Sequence, residues 1–143
     1  MKVIRKDEMT HIASSKSVHL PGSETSVTQL PEIPLILRRE GSAIREVVLE
    51  YLQKFNITPL IAMKSGSISI LKEFVQQDNG IAFVEHDAID EELKSGTLKL
   101  VRILKKSPVI EFGIGYRNRK NLSPPAWAFL GLLDKSADLC IQS

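Results

Sequence analysis

From Pro34 onward, short apolar segments alternate with amphipathic segments, and this alternation restricts the chain to few folds. Leu35 to Leu37 form a continuous apolar run, which is typical of a strand buried on both faces. The helix predicted next carries apolar residues on one face, namely Ile44, Val47, Val48, Tyr51, Leu52 and Phe55. Strands at 60–63 and 81–84 flank a second predicted helix. Repeated strand-helix-strand units build right-handed crossovers around a largely parallel sheet, so the predicted class is α/β.

The remaining elements are predicted from shorter signals. A short strand spans Met9 to Ser14, and the Ser-, Thr-, Pro- and Gly-rich stretch that follows is a loop. Gly80 is expected to take the left-handed conformation where the second helix ends. Beyond the third strand we predict a short acidic helix closed by Gly96, strands at 98–104 and 109–116, and a final helix capped by Ser123.

Composition excludes several classes of protein. The net charge is only +2, and the Lys and Arg residues are scattered, which is poor support for a nucleic-acid surface. The pair Arg38-Arg39 is interpreted as solvated charge. Because Cys140 is the single cysteine, a disulfide framework is excluded, which fits a reducing compartment. No segment reaches signal-peptide or membrane-span length, so we expect a cytoplasmic protein without membrane contact.

Two Gly-Ser sites follow neighbouring predicted strands. The first corner is Gly41-Ser42, and the second corner is Ser65-Gly66-Ser67. In a parallel sheet the carboxyl ends of the strands meet at one edge, where open α/β folds bind ligands. Each corner would offer free backbone N–H groups, the positive end of a helix dipole and a hydroxyl group. The pair therefore predicts a site for a carboxylate, sulfate or phosphate group.

Other interpretations of these residues stay open or are weaker. Each corner alone is also an ordinary helix cap, since serine is a favoured N-cap and glycine a favoured turn residue. Neither corner matches a nucleotide-binding phosphate loop, so no cofactor is predicted. His11, His19, His86 and Cys140 lack metal-ligand spacing, so no metal site is predicted. No catalytic residue is assigned; an enzyme that holds a phosphate at the corners would have only His86 as an acid or base.

Five stretches together resemble a known family. They are "DEMTHIASSKSVHL", "PLILRREGSAIREVVLEYL", "KSGSISILKEFVQQDNGIAFV", "EELKSGTLKLVRI" and "GYRNRKNLSPPAWAFLGLL". In order and spacing, from about residue 7 to 134, they resemble the C-terminal part of the effector-binding domain of bacterial LysR-type transcriptional regulators. That domain has a fold similar to type 2 periplasmic solute-binding proteins, with two α/β lobes around a cleft for a small, often anionic, molecule.

The resemblance implies a division of the chain. Residues 34–112 would form the whole second lobe, with a Rossmann-like, mostly parallel sheet. Residues 1–33 would be a remnant of the first lobe and a linker, and residues 113–143 a crossing strand and helix returning to that incomplete lobe. The family's winged helix-turn-helix has no counterpart here, so DNA binding is expected only through a part absent from this truncated chain.

The resemblance also implies functional residues. Ligand contacts carry over to Ser14 at the end of the "HIAS" strand and to the first and second corners. Antiparallel side-by-side dimerisation would use residues of the strand and helix between Leu60 and Gln77, namely Ile61, Met63, Ile70 and Phe74; the same residues could instead face their own core. The leading hypothesis is a non-enzymatic effector-sensing domain. A solute-binding receptor of a transport system and a small phosphate-binding enzyme are the alternatives.

Overall fold

The computed structural model describes residues 2–116 and 118–140. The strands in this part of the chain are β1 (Lys2–Ser14), β2 (Glu24–Thr25), β3 (Pro34–Arg38), β4 (Leu60–Ser65), β5 (Ile81–Glu85), β6 (Leu98–Ile103) and β7 (Val109–Ile114). The α-helices are α1 (Ala43–Lys54), α2 (Ile68–Gln76), α3 (Asp90–Ser95) and α4 (Pro124–Cys140). Short 3-10 helices occupy Val27–Glu32, His86–Ala88 and Arg119–Asn121.

The described chain divides into two compact units. The larger unit is Glu8–Ile110, and the smaller unit takes residues 2–7 and those from Glu111 onward. The predicted boundary between residues 33 and 34 differs from this division, because residues 8–33 pair and pack with the larger unit. Residues 117 and 141–143 of the predicted third segment lie outside the described residues. The assignment of these pieces to two effector-binding lobes stays a prediction.

The larger unit is built on a sheet with the strand order β2-β6-β1-β5-β3-β4. β3 runs parallel to both β4 and β5, and β2 runs parallel to β6. β1 lies in the middle of the sheet and is antiparallel to β5 on one side and to β6 on the other. The predicted α/β class is confirmed, but the sheet is mixed rather than largely parallel, because β1 runs antiparallel to both of these neighbours.

The sheet separates two apolar layers, since successive side chains of a strand point to opposite faces. One layer contains α2 and α3, and its buried residues are Ile12, Ile36, Leu71, Val75, Ala82, Val84, Ile89 and Leu98. The other layer contains α1 and includes Leu35, Leu52, Ile81 and Phe83. Within α1, the buried residues Arg45, Val48 and Leu52 follow the three- and four-residue spacing of one helix face.

The smaller unit contains the start of β1, most of β7 and α4. β7 pairs with β1. Lys6 forms an ion pair with Glu111, and the guanidinium group of Arg5 lies 4.9 Å from the centre of the Phe112 ring. At the start of α4, the Ser123 hydroxyl group accepts a hydrogen bond of 3.4 Å from the backbone N–H of Ala126, as predicted for an N-cap. No helix in the described part of the chain is both long and apolar enough to cross a membrane.

Candidate functional site

The two corners lie side by side at one edge of the sheet. β3 and β4 are parallel neighbours, and their last residues, Arg38 and Ser65, are paired in the ladder. The first corner then leads into α1 and the second into α2, with Ser42 and Ser67 at the N-cap positions. Two helix N-termini therefore begin next to each other at the carboxyl ends of these strands.

Backbone and side-chain contacts hold the corners together. The backbone N–H of Arg39 donates a hydrogen bond of 2.9 Å to the carbonyl oxygen of Ser65. Lys64 Nζ lies 2.9 Å from Glu40 Oε1, and this hydrogen bond is the main reason why the pKa of Glu40 lies below its usual value. A Cβ atom at Gly66 would lie 3.2 Å from Cδ of Arg39, so a larger residue there would push that side chain away.

The serine hydroxyl groups of the corners differ in how far they are engaged. The Ser65 hydroxyl donates to the carbonyl oxygen of Ser67 at 3.0 Å and accepts from its N–H at 3.1 Å. The Ser67 hydroxyl accepts from the N–H of Ile70 and so caps α2. Ser42, in contrast, makes no side-chain cap hydrogen bond although it occupies the N-cap of α1. Of these serines, Ser42 is the one whose hydroxyl group is best able to bind a ligand.

Gly41 gives the first corner its shape. Its φ angle is +83°, in the left-handed region that side chains disfavour, and a Cβ atom there would have no neighbour within 4 Å. Glycine is therefore required at this position by backbone conformation and not by lack of space. The open space leaves the backbone accessible to a ligand.

Two arginines at this edge were not among the predicted site residues. Arg38 is half-buried, and its Nε and Nη1 atoms are shielded from solvent without a hydrogen-bond partner in the described residues. Arg45 is only 9% exposed, and its Nη1 donates a hydrogen bond of 3.3 Å to the carbonyl oxygen of Arg38. The interpretation of Arg38 as solvated charge is therefore wrong. The sequence could have indicated a role for Arg45, because this residue lies on the buried face of α1, in register with Val48 and Leu52.

Ser14 does not lie with the corners. β1 is antiparallel to β5, which is parallel to β3, so the C-terminal end of β1 lies at the opposite edge of the sheet. Ser14 pairs with Leu98 there and is buried, and its hydroxyl group accepts from the N–H of Lys16 at 3.3 Å. The expectation, drawn from the family resemblance, that Ser14 lies at the same edge as the two corners is therefore wrong.

The predicted dimer residues lie on the outer side of the larger unit. β4 is the edge strand of the sheet, and Ile61 on it is exposed, as are Ile70 and Phe74 on α2. Met63 is partly buried and packs against the α2 and α3 core layer. Three of the four residues are thus available to a partner, while Met63 contributes to its own core.

Metal and acid-base candidates receive little support. His86 is exposed and follows β5 in a 3-10 helix. His11 lies elsewhere, buried on β1 with its ring centre 4.3 Å from that of Phe83. Within the described part of the chain, no group of three or more His, Cys, Asp and Glu residues is arranged to hold a metal ion.

Comparisons with known proteins place the chain in one family. The family model for the LysR substrate binding domain matches residues 2–138. The uncharacterized HTH-type transcriptional regulator YeiE of Escherichia coli K12 is 33% identical over 102 residues, which are 68% of this chain and 33% of that protein. The chain thus spans about a third of this curated relative.

Solved structures of regulatory domains have the same fold. The CcmR regulatory domain of Synechocystis PCC6803 in complex with 2-PG superposes with a TM-score of 0.74 at 18% identity, covering 95% of this chain and 65% of that one. The effector-binding domain of QuiR in complex with shikimate gives a TM-score of 0.75 at 14% identity, covering 96% and 64%. At such identities the likeness shows the fold alone. Because the family model spans nearly the whole chain, this protein belongs to the LysR substrate-binding domain family.

Proposed function

We propose that this chain is the small-molecule sensing domain of a bacterial LysR-type transcriptional regulator, and that its effector binds at the edge formed by the first and second corners. The observation that carries the proposal is the adjacency of two helix N-termini, one of which has at its N-cap position a serine, Ser42, that makes no side-chain cap hydrogen bond. The family to which the chain belongs consists of transcriptional-regulator domains and is not an enzyme class.

The physical chemistry of the first corner favours an anionic effector. The backbone N–H groups at the very start of α1 have no acceptor within the helix. The N–H of Glu46 does have one, because it donates to the carbonyl oxygen of Ser42 at 3.2 Å. The aligned peptide dipoles place partial positive charge at the same point. Gly41 leaves the approach open, and Ser42 offers a further donor. A carboxylate or phosphate group satisfies all of these groups at once.

The comparisons support small-molecule binding as the role of this fold. The CcmR and QuiR domains were each solved with a small molecule, 2-PG and shikimate respectively. This chain covers 65% and 64% of those two domains. We propose that the remaining contacts to the effector come from a further part of the regulator.

Signalling follows from a shift in populations. An effector that contacts two lobes stabilises the closed arrangement over the open one by its difference in affinity for the two. We propose that this shift alters the geometry of a homodimer built on the exposed residues Ile61, Ile70 and Phe74. DNA contact is assigned to a winged helix-turn-helix outside this chain, and the regulator acts in the cytoplasm. A transport receptor or a phosphate-binding enzyme is not favoured by any observed feature.

A thermal-shift screen tests the proposal directly. Purified protein is heated with small anions and aromatic acids, because a ligand that prefers the folded state raises the melting temperature. The compound with the largest effect is then tested on Ser42→Ala, with Ser69→Ala as a matched control on an exposed position of α2. We expect Ser42→Ala to weaken binding about tenfold or more, and Ser69→Ala to bind like the wild type. Equal binding by both variants would exclude the first corner as the site.

A further inference from the structure

The edge that carries the two corners has an uncompensated positive charge. In residues 38–46 and on β4 there are four cationic side chains and two carboxylates, Glu40 and Glu46. Glu40 is bound to Lys64, and Glu46 is exposed on the first turn of α1. The neighbouring strand β5 ends at Glu85, which makes no ion pair with Arg38 in the described part of the chain. In the described residues, Arg38, Arg39 and Arg45 form no ion pair with an acid, although Glu40 interacts electrostatically with Arg45.

Among these cationic side chains, Arg38 stands out because two of its nitrogen atoms lack a hydrogen-bond partner in the described residues. A guanidinium ion stays protonated at any accessible pH, so burial cannot neutralise it. Two of its nitrogen atoms are nevertheless shielded from water and bind no acceptor in the described residues. Leaving a buried charged donor unpaired costs a protein substantial folding free energy. Such an arrangement persists where it serves binding, because an incoming anion recovers the lost interaction.

The position of Arg38 directs it toward the corners. Ile36 belongs to the core layer that contains α2, and side chains two residues apart share a face of the strand. Arg38 is therefore on the α2 face at the last position of β3, paired with Ser65 of the second corner. Its carbonyl oxygen is held by Arg45 from α1. One residue thus connects the starts of both helices.

We propose that Arg38 is the charge-recognition residue of this edge and that it binds the carboxylate or phosphate group of the effector. The inference depends on the proposed sensing function and adds to it the residue that selects for a negative charge. Arg45 acts as a positioning residue, because it holds the backbone of Arg38 while its own charge is buried. Arg39 is exposed and does not share this role.

A comparison of two neighbouring arginines tests the inference. Arg38→Met keeps an unbranched apolar stem and removes the guanidinium group, and Arg39→Met makes the same change at the exposed neighbour. Melting temperatures are measured in sodium chloride, sodium phosphate and sodium acetate at equal ionic strength. For the wild type we expect phosphate or acetate to raise the melting temperature, and which of the two does so identifies the recognised group.

The two variants have opposite expected results. Without added oxyanion, Arg38→Met should melt about 3 °C or more above the wild type, because the two shielded nitrogen atoms without a partner are gone. It should also lose the response to phosphate and acetate. Arg39→Met should keep the wild-type response. An Arg38→Met protein that responds like the wild type, or an Arg39→Met protein that loses the response instead, overturns the inference.

Further variants separate this inference from the sensing proposal. If Arg38→Met does not fold, Arg38→Lys decides the question, since it keeps the charge and should respond with about tenfold weaker affinity. A folded Arg38→Lys protein with no response contradicts recognition by charge. A wild type that is stabilised by uncharged compounds but not by phosphate or acetate refutes the role of Arg38 and leaves small-molecule sensing in place.

Discussion

The carboxylate of Asp78 accepts a hydrogen bond of 2.6 Å from the hydroxyl group of Ser17, and this contact joins the loop after β1 to the C-terminal end of α2. The second carboxylate oxygen accepts from the N–H of Val18 at 2.9 Å. Burial alone would raise the pKa of Asp78, but these hydrogen bonds, together with the electrostatic effects of His19 and Lys99, outweigh it and the pKa lies below the usual value. Asp78 also has a φ angle of +61°, which aspartate tolerates better than most residues.

Replacing Asp78 with alanine should lower the free energy of unfolding by about 1–3 kcal/mol, as it removes two hydrogen bonds and strains the backbone. Asp78→Asn should cost less, because asparagine keeps an acceptor and tolerates this φ angle. Urea denaturation measures both, with the exposed Glu50→Ala as the control that should change little. Because the folded pKa is depressed, the contribution of Asp78 is complete above its unfolded pKa and is lost as the pH falls through the folded value. Similar stability of Asp78→Ala and the control would contradict the anchoring role.

The stability of the larger unit should depend on the protonation of His11. Burial lowers the pKa of this residue from 6.5 to about 4, while the nearby backbone of Val101 acts in the opposite direction. The unfolded chain therefore takes up the proton first, so stability is complete above about pH 6.5 and falls as the pH drops toward 4. Between pH 7 and pH 5 the loss from this group should be about 2 kcal/mol. His11→Leu should remove that part of the pH dependence, and the exposed His19→Leu should not.

Gly80 should not tolerate any side chain. Its φ angle is +148°, and a Cβ atom would lie 2.4 Å from the carbonyl oxygen of Pro34, the first residue of β3. Gly80→Ala should therefore cost about 3 kcal/mol or more, because backbone atoms must move. Gly96→Ala is the matched control, since Gly96 has a φ angle of +74° but no neighbour within 4 Å, and should cost only about 1 kcal/mol. Equal melting temperatures for the two variants would show that the clash with Pro34 is relieved at no cost.

The proposed dimer can be tested at the most exposed of its residues. Ile70 is 50% exposed on α2, so Ile70→Glu should leave the fold intact while placing a charge in the interface. We expect association to weaken more than about tenfold by sedimentation equilibrium. Leu104→Glu is the control, because Leu104 is 52% exposed and directly follows β6, which is separated from β4 by three strands of the sheet. A dimer that survives Ile70→Glu must use another surface.

The elements from Pro34 to Gly96 were predictable because their apolar residues repeat with the period of the element itself. β3 and α1 are examples, since the observed ends differ from the predicted ones by at most one residue. β1 was harder, because only its second half was recognised as a strand. Its first half is rich in charged residues and forms a strand through pairing with β7, which no local pattern records.

The candidate site was predictable only in part. Serine and glycine after a buried strand mark both corners, but the direction of β1, and hence the place of Ser14, depends on long-range pairing. The left-handed residue after α2 is Asp78, with Gly80 needed instead for its close approach to Pro34. Arg38 was missed because a charged residue at the end of a strand is usually solvated, and only the packing around it shows otherwise.

The central place of β1 has a consequence for how the protein forms. Met9 is paired with Glu85 and His11 with Val101, partners that follow by more than half of the 143 residues. During synthesis on the ribosome, the middle of the sheet therefore cannot form before β5 and β6 have been made. Until then, the part of β1 that pairs with β5 and β6 lacks its hydrogen-bonding partners on those strands. High contact order of this kind slows folding, so the nascent chain depends on late segments for protection against aggregation.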